Sequence, residues 1–428
     1  MKKYLLPFLL LLSINSVLSQ SYNIVIKGGH VIDPKNNIDK VLDIAISDGK
    51  IVEVAANIDD RKAIQVINAE GLFVTPGLID MHTHDFYGTE TDHQYENGNL
   101  AISPDGFTFR NGVTTVVDAG SSGWRSFTTF KAQTIDQSQT RVLAFLNIVG
   151  EGMRSMYEQN VNDMDPKMSA LIAKKYKDII VGFKAAHFEG AEWTAVDRAV
   201  EAGNMAGNIP VMIDFGVSNP PLSIEELFLK HLRPGDIFTH CFAQLSSREY
   251  IVDLKTNKVK PFVWEAQKRG IIFDVGYGGI SFAFSQAIPA LHEGFYPNSI
   301  STDLHVGSMN NAMKDMLTTM SKFMAMGMDI KNIITACTWN PAKEIKHEEL
   351  GNLSPGSVAD VALLNIRKGH FGLFDYTGYK IETDKKLECE LTIRDGKIVY
   401  DLNGIAKPIV VAPNTGTDTK NLPKAKTN

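Results

Sequence analysis

Short apolar runs recur eight times between residues 75 and 344, at 78–81, 113–118, 142–148, 179–184, 211–214, 237–240, 271–275 and 299–303. Amphipathic segments such as 194–205 lie between several of them. Alternating strands and helices imply parallel pairing, because parallel neighbours must be joined by long crossovers. Eight such units over about 270 residues match a (β/α)8 barrel in count and length. A doubly wound open sheet is the competing α/β solution. It usually carries a glycine-rich phosphate loop after its first strand, and none follows 78–81 here. The expected class is therefore α/β, a TIM-like barrel over residues 75–344.

The two ends of the chain read differently. Residues 45–52 and 392–399 are alike, each with β-branched residues around an Asp-Gly pair, a strong hairpin signal. Further alternating stretches lie at 22–27, 65–68 and 360–365. The economical expectation is one small β-sandwich domain assembled from 20–74 and 345–410, with the barrel inserted. Two unrelated β-modules are the alternative. Residues 411–428 are rich in Asn, Thr, Lys and Pro and read as a disordered tail.

Lys2 and Lys3 precede an apolar run at 4–12, and Val17-Leu18-Ser19 fits the small-residue cleavage rule. Residues 1–19 therefore read as a secretory signal removed before Gln20, placing the product in the periplasm or outside the cell. The run is short for a membrane anchor, and no other segment is long and apolar enough to span a bilayer, so no membrane association is expected after cleavage. The net charge of −6 argues against nucleic acid, which requires a basic face. Three cysteines without C-x-x-C spacing exclude a disulfide framework.

The chemistry-bearing residues end the barrel runs. His82 and His84 close the first, and side chains at i and i+2 share one face of a strand. Asp80, by the same alternation, is expected on that face as a supporting group. Lys184 ends the fourth run, where a buried strand finishing in lysine needs a reason. His240 ends the sixth and Asp303 the eighth. Each has a bland reading alone, as a strand-end salt bridge or a satisfied core histidine. At the carboxyl ends of strands in one barrel they would converge on a single point. Imidazoles beside carboxylates are how zinc is held.

Three motifs carry a family likeness. They are Val74-Thr75-Pro76-Gly77-Leu78-Ile79-Asp80-Met81-His82-Thr83-His84, the second strand Gly112-Val113-Thr114-Thr115-Val116-Val117-Asp118-Ala119-Gly120, and Gly351-x-Leu-x-x-Gly356-x-x-Ala359-Asp360. With them the chain resembles the amidohydrolase superfamily over about residues 22–405. The stretches 233–242, 299–305 and 320–328 are similar to its deacetylase-like, dihydroorotase-like subgroup. The resemblance implies that His82, His84 and Asp303 hold one divalent metal ion and that His240 with a strand-5 ligand holds a second. Lys184 would be carboxylated by CO2 and bridge the two, zinc being the expected metal. A metal-bound hydroxide would attack the carbonyl, with Asp303 as general base and then acid. Relatives often form oligomers, so a homo-oligomer is a further expectation of the resemblance.

The sequence departs from that pattern at three places. Asp214 stands where histidine is usual, so the anionic ligands balance the two cations where histidine would leave a positive charge. A weaker Lewis acid is the expected consequence, and a site with one metal the alternative. Ala186 replaces an arginine common two residues after the lysine, with His187 next. Tyr277 stands where a substrate-facing histidine is expected. His187, Tyr277 and His305 are thus the expected substrate contacts, His305 equally suited to capping a turn. Met309, Met313, Met316, Met320 and Met324 recur at helical spacing, which fits a buried helix face better than a copper site. The leading expectation is an exported hydrolase that removes an acyl group from a small acylated molecule. Cyclic amide opening, as in dihydroorotases and hydantoinases, is the second, and a catalytically weak ligand- or metal-binding barrel the third.

Overall fold

The computed structural model describes residues 22–408. The expected leader at 1–19 and tail at 411–428 lie outside the described residues. Five strands come first: β1 (Tyr22–Asp33), β2 (Ile38–Ser47), β3 (Lys50–Ala55), β4 (Ala63–Asn68) and β5 (Phe73–Pro76). The middle carries β6 (Leu78–Thr83), β7 (Tyr87–Glu90), β8 (Val113–Gly123), β9 (Arg141–Asn147), β10 (Ile180–Ala185), β11 (Val211–Ile213), β12 (Ile237–Phe238), the ribbon β13 (Val252–Asp253) and β14 (Lys258–Val259), and β15 (Ile272–Phe273). The chain returns through β16 (Val361–Phe374), β17 (Lys380–Arg394) and β18 (Lys397–Asp401).

Seven of the middle strands form one sheet in the order β15-β12-β11-β10-β9-β8-β6, every pairing parallel. The eighth run joins both of its edges. Ser299 bridges Asp274 beside β15, and Leu304 bridges Thr83 of β6, both in parallel. The Leu304 N–H donates to the His82 carbonyl at 3.1 Å, and the His84 N–H donates to Leu304 at 2.9 Å. The sheet thus curls until its ends meet through 299–304, the TIM-like barrel expected. Ile79, Met81, Val117, Ala119, Leu143, Phe145, Met212 and Ile237 meet in one buried cluster that spans neighbouring strands. These are the alternate, inward positions of a filled barrel rather than a pore.

Asp80 lies between Ile79 and Met81 and takes the other face, contrary to the strict alternation expected. It accepts from the backbone N–H of Thr302 at 3.0 Å and so pins the eighth run to β6. The pairing of β6 with β8 shifts register between Asp80 and Thr83. That irregularity brings His82 and His84 inward after Met81.

The end strands form one eight-stranded sheet from both chain ends, ordered β18-β17-β16-β5-β1-β2-β3 with β4 on β1. β5 pairs antiparallel with β16, so Pro76 lies opposite Val361 where the chain enters and leaves the barrel. Ile24, Ile26, Ile44, Ile46, Ile51, Val361, Leu363, Leu391 and Ile393 share one core, so the sheet wraps around its own apolar face. The methionines behave as packing. Met313, Met316 and Met320 are buried, and Met309 and Met324 rest against the same core.

Candidate metal centre and active site

The ends of β6, β10, β11 and β12 and of the eighth run meet at the carboxyl mouth of the barrel. His84 Nε2 lies 3.0 Å from Asp303 Oδ1, and His82 Nε2 lies 3.6 Å from the same oxygen. Lys184 Nζ is 3.1 Å from His82 Nε2. The His82 and His240 rings are 5.0 Å apart. His240 Nε2 is 3.4 Å from Asp214 Oδ2. All six strand-end side chains expected from the sequence therefore come together and are buried, with only 7% of the Asp214 side chain exposed. His82, His240 and Asp303 present one ligand atom each within 4.8 Å of one another.

The surroundings fix which ring nitrogen faces the centre. Thr239 donates its hydroxyl to Asp274 at 2.8 Å, so its oxygen accepts from His82 Nδ1–H at 2.9 Å. His240 donates Nδ1–H to the Gly276 carbonyl. His84 Nδ1 lies 3.1 Å from the Ser121 hydroxyl. Each of the first two keeps a bare Nε2 lone pair toward the centre, the tautomer a metal ligand needs. Asp274 also accepts from the hydroxyls of Ser299 and Ser301, each at 2.8 Å. Burial opposes its charge, but these bonds and His82 hold its carboxyl below the usual range.

Electrostatics point the same way. Burial, then the neighbouring Lys184, pushes His82 down to about 3. Burial pushes the Lys184 ammonium down despite Asp214 and Asp303. Lys184 is fully buried, and its amine's hydrogen-bond partners among the described residues are His82 and the Met212 sulfur at 3.6 Å. Against its own burial, Asp303 is held well below the carboxylate range by His305, His82 and His84. A set of bare imidazole nitrogens and anionic carboxylates around a buried lysine whose charge is disfavoured by burial fits a divalent cation.

Glycines make the space. A Cβ on Gly276 would meet His240 Nδ1 and His82 Nδ1 at 2.9 Å, and one on Gly120 would meet Lys184 Cβ at 2.6 Å. His187, His240 and Asp303 all adopt left-handed backbone, φ 56°, 56° and 53°. Such angles in bulky residues are costly and gather where side chains must be aimed.

The chain is similar to several known proteins. The description Amidohydrolase family matches residues 283–399. A deacetylase of Agrobacterium fabrum is 34% identical over 328 residues, 74% of this chain and 77% of the relative. A deacetylase of Enterococcus faecalis is 32% identical, covering 89% of this chain and 99% of the relative. The chain belongs to the amidohydrolase family. It is accordingly a metal-dependent hydrolase acting on carbon–nitrogen bonds. Among solved amidohydrolase structures, an adenine deaminase has a TM-score of 0.80 at 29% identity, covering 89% of this chain and all of that one. A dihydroorotase has a TM-score of 0.76 at 27% identity, covering 88% and 99%.

The expected substrate contacts fare unequally. His187 bridges two acids, its Nε2 3.2 Å from Asp214 and its Nδ1 3.3 Å from Glu158. Burial works against its charge, yet Glu158 and Asp214 raise the imidazolium to about 10. His305 caps the turn after Asp303, its Nδ1 accepting from the Gly307 N–H at 3.0 Å, while its Nε2 stays 3.8 Å from Asp303. Tyr277 is a correction. Gly276 and Gly278 face the histidines and Asp303, so the side chain between them turns away. Its ring stacks on Phe282, and its hydroxyl accepts from Lys322 Nζ at 2.7 Å.

Three neighbours were missed from the sequence. Tyr95 covers the site, its ring 4.7 Å from His84 and 5.3 Å from His305. Glu158 holds His187, and Arg248 donates from Nη2 to Asp214 Oδ1 at 2.6 Å. All three lie in connecting segments, where no strand periodicity marks them.

Proposed function

We propose that this amidohydrolase is an exported, deacetylase-like enzyme that cleaves the amide or ester acyl bond of a small molecule. The observation that carries the reading is the fully buried Lys184 amine, 3.1 Å from His82 Nε2 within a ring of imidazoles and carboxylates. An ammonium is a poor occupant of that position, whereas a lysine carbamate is an anion with two oxygens. His82, His84 and Asp303 would hold one divalent ion, zinc by the donor set, and His240 with Asp214 a second, carboxylated Lys184 lying between. When bound, the ions supply Lewis acidity toward the scissile carbonyl and toward water. Asp303 would take a proton at its carboxylate and return it to the departing nitrogen or oxygen. His84 at 3.0 Å orients that carboxylate, and the Tyr95 ring packs against His84. The leader-like residues 1–19 support export.

Cyclic amide opening is the second reading, favoured by the likeness to the dihydroorotase structure. One experiment separates them. Metal per chain is measured on protein prepared with and without bicarbonate, together with turnover of acetylated amino and hydroxy acids and of cyclic ureides and imides. Bicarbonate-dependent metal content near two and turnover of the open-chain acyl substrates are expected. Turnover of cyclic amides alone would install the second reading. Turnover of neither class by metal-loaded protein would leave a binding barrel. An N-terminus at Gln20 on protein recovered outside the cytoplasm tests the export proposal.

A further inference from the structure

We propose that the β16–β17 hairpin is a strap that sets the position of His240, with Tyr277 and Tyr376 as its positioning residues. The inference rests on the metal-centre reading above and identifies what aims one of its ligands. β16 pairs with β5 only as far as Leu364, and β17 pairs with β18 only from Leu391. Beyond those points the two strands pair with each other, from Asn365 opposite Glu388 to Phe374 opposite Lys380. Strands rise about 3.3 Å per residue, so this ribbon carries the small domain about 30 Å along the flank of the barrel toward its mouth. A two-stranded ribbon is at best marginal by itself, so the surfaces it touches must hold it. On the flank, the Leu387 N–H donates to the Ser321 hydroxyl at 2.9 Å.

The tip engages the barrel through both of its turns. Asp375, 2% exposed, accepts from the Thr377 N–H and hydroxyl at 2.9 and 2.6 Å with one oxygen, and from the Phe284 N–H at 2.8 Å with the other. The Tyr376 hydroxyl donates to the Gln244 carbonyl. The Tyr277 hydroxyl donates to the Phe374 carbonyl at 3.4 Å while accepting from Lys322. The strap thus fastens two segments, 240–244 after β12 and 276–284 after β15. Those segments are the two ends of one bond, since His240 donates Nδ1–H to the Gly276 carbonyl. The Ala243 N–H returns to the His240 carbonyl at 2.9 Å, so Gln244 is tied to the histidine through one tight turn. On the other segment, the N–H groups of Tyr277 and Gly278 donate to Ser301 and Thr302 at 3.1 and 3.0 Å. A Cβ on Gly276 would meet His240 Nδ1 at 2.9 Å, and one on Gly278 would meet Asp303 Oδ2 at 2.7 Å. Packing that close passes a small shift of Tyr277 directly to the ligands. The left-handed backbone of His240, φ 56°, also needs surroundings that impose it.

The test uses full-length protein stripped of metal, as wild type, Y277F, Y376F and D384A, the last an exposed side chain on the same ribbon. Zinc dissociation constants are measured by competition with a chromophoric chelator, and the visible bands of the cobalt-loaded protein report the ligand geometry. Y277F and Y376F are each expected to raise the dissociation constant of the weaker-bound ion about 10-fold and to alter the cobalt bands, with D384A unchanged. Wild-type constants and bands in both tyrosine variants would overturn the proposal. An equal loss in D384A would do the same, since it would mark a general loosening of the ribbon. Should Y277F not fold, Y376F decides, because it removes only a hydroxyl at the tip. If wild type takes up no metal, the metal-centre reading fails separately, and the His240 Nδ1–H resonance in protein with isotope-labelled histidine then decides. That resonance, identified by its loss in H240Q, should shift in Y277F and Y376F; an unmoved resonance refutes the strap.

Discussion

Lys322 offers a quantitative test of how the barrel is packed. It is 1% exposed, donating to Tyr277 at 2.7 Å and to the Ala312 carbonyl at 2.5 Å, with its ammonium 4.1 Å from the Tyr277 ring centre. Burial pushes it down to about 7, with Asp375 and Asp315 only partly offsetting. An ordinary lysine titrates near 10.4, so the folded state favours the neutral amine. Below pH 7 both folded and unfolded chains carry the proton, and the burial penalty is fully present. Between about 7 and about 10 only the unfolded chain carries it, and stability rises by about 1.4 kcal/mol per pH unit. From pH 7 to pH 9 that is about 3 kcal/mol. Unfolding entropy of about 2 cal/mol/K per residue makes this about 3–4 °C in Tm for a chain this size. Other groups titrate in the same window, so the readout is the Tm difference between wild type and Lys322→Met, measured by scanning calorimetry from pH 6.5 to 9.5. Wild type should gain on the variant as pH rises. A flat difference would mean that the amine keeps its proton in the fold, and the packing argument around Tyr277 would be wrong.

Asp274→Asn keeps the shape but weakens the carboxylate behind Thr239 and His82; metal affinity should fall about 10–100-fold by chelator competition, and an unchanged affinity would refute the tautomer argument. Gly276→Ala should displace His82 and His240 together and lower bound metal while the fold persists; full metal occupancy would show that the space is not required. Asp214→Ala should cost about 3–5 kcal/mol even in chelated protein, because Arg248 becomes a buried charge without its partner, and Arg248→Met on that background should recover part of it; strictly additive effects in denaturant melts would argue against the pair.

Much of this architecture was legible because strands and barrels impose simple periods. Each of the eight apolar runs became a barrel position, and residues ending those runs met at one mouth. Asp80 broke the rule because the β6 register slips between Asp80 and Thr83, a feature no composition reveals. Tyr277 could have been placed correctly, since Gly276 and Gly278 flank it and alternate positions share a face. It was the family likeness, not the period, that pointed its ring at the substrate. Tyr95, Glu158 and Arg248 were illegible for a different reason. They sit in connecting segments and reach the site only through tertiary contact.

Arg248 changes the meaning of Asp214. Counted from the sequence, an aspartate at a position expected to hold histidine adds a negative charge, which predicts a weaker Lewis acid. The structure supplies a buried guanidinium 2.6 Å from that carboxylate. The aspartate and arginine together carry no net charge, as a neutral imidazole would, so the expected weakening does not follow. The pair differs from an imidazole in what it leaves over. One oxygen of Asp214 faces His240, and among the described residues two nitrogens of Arg248 have no acceptor.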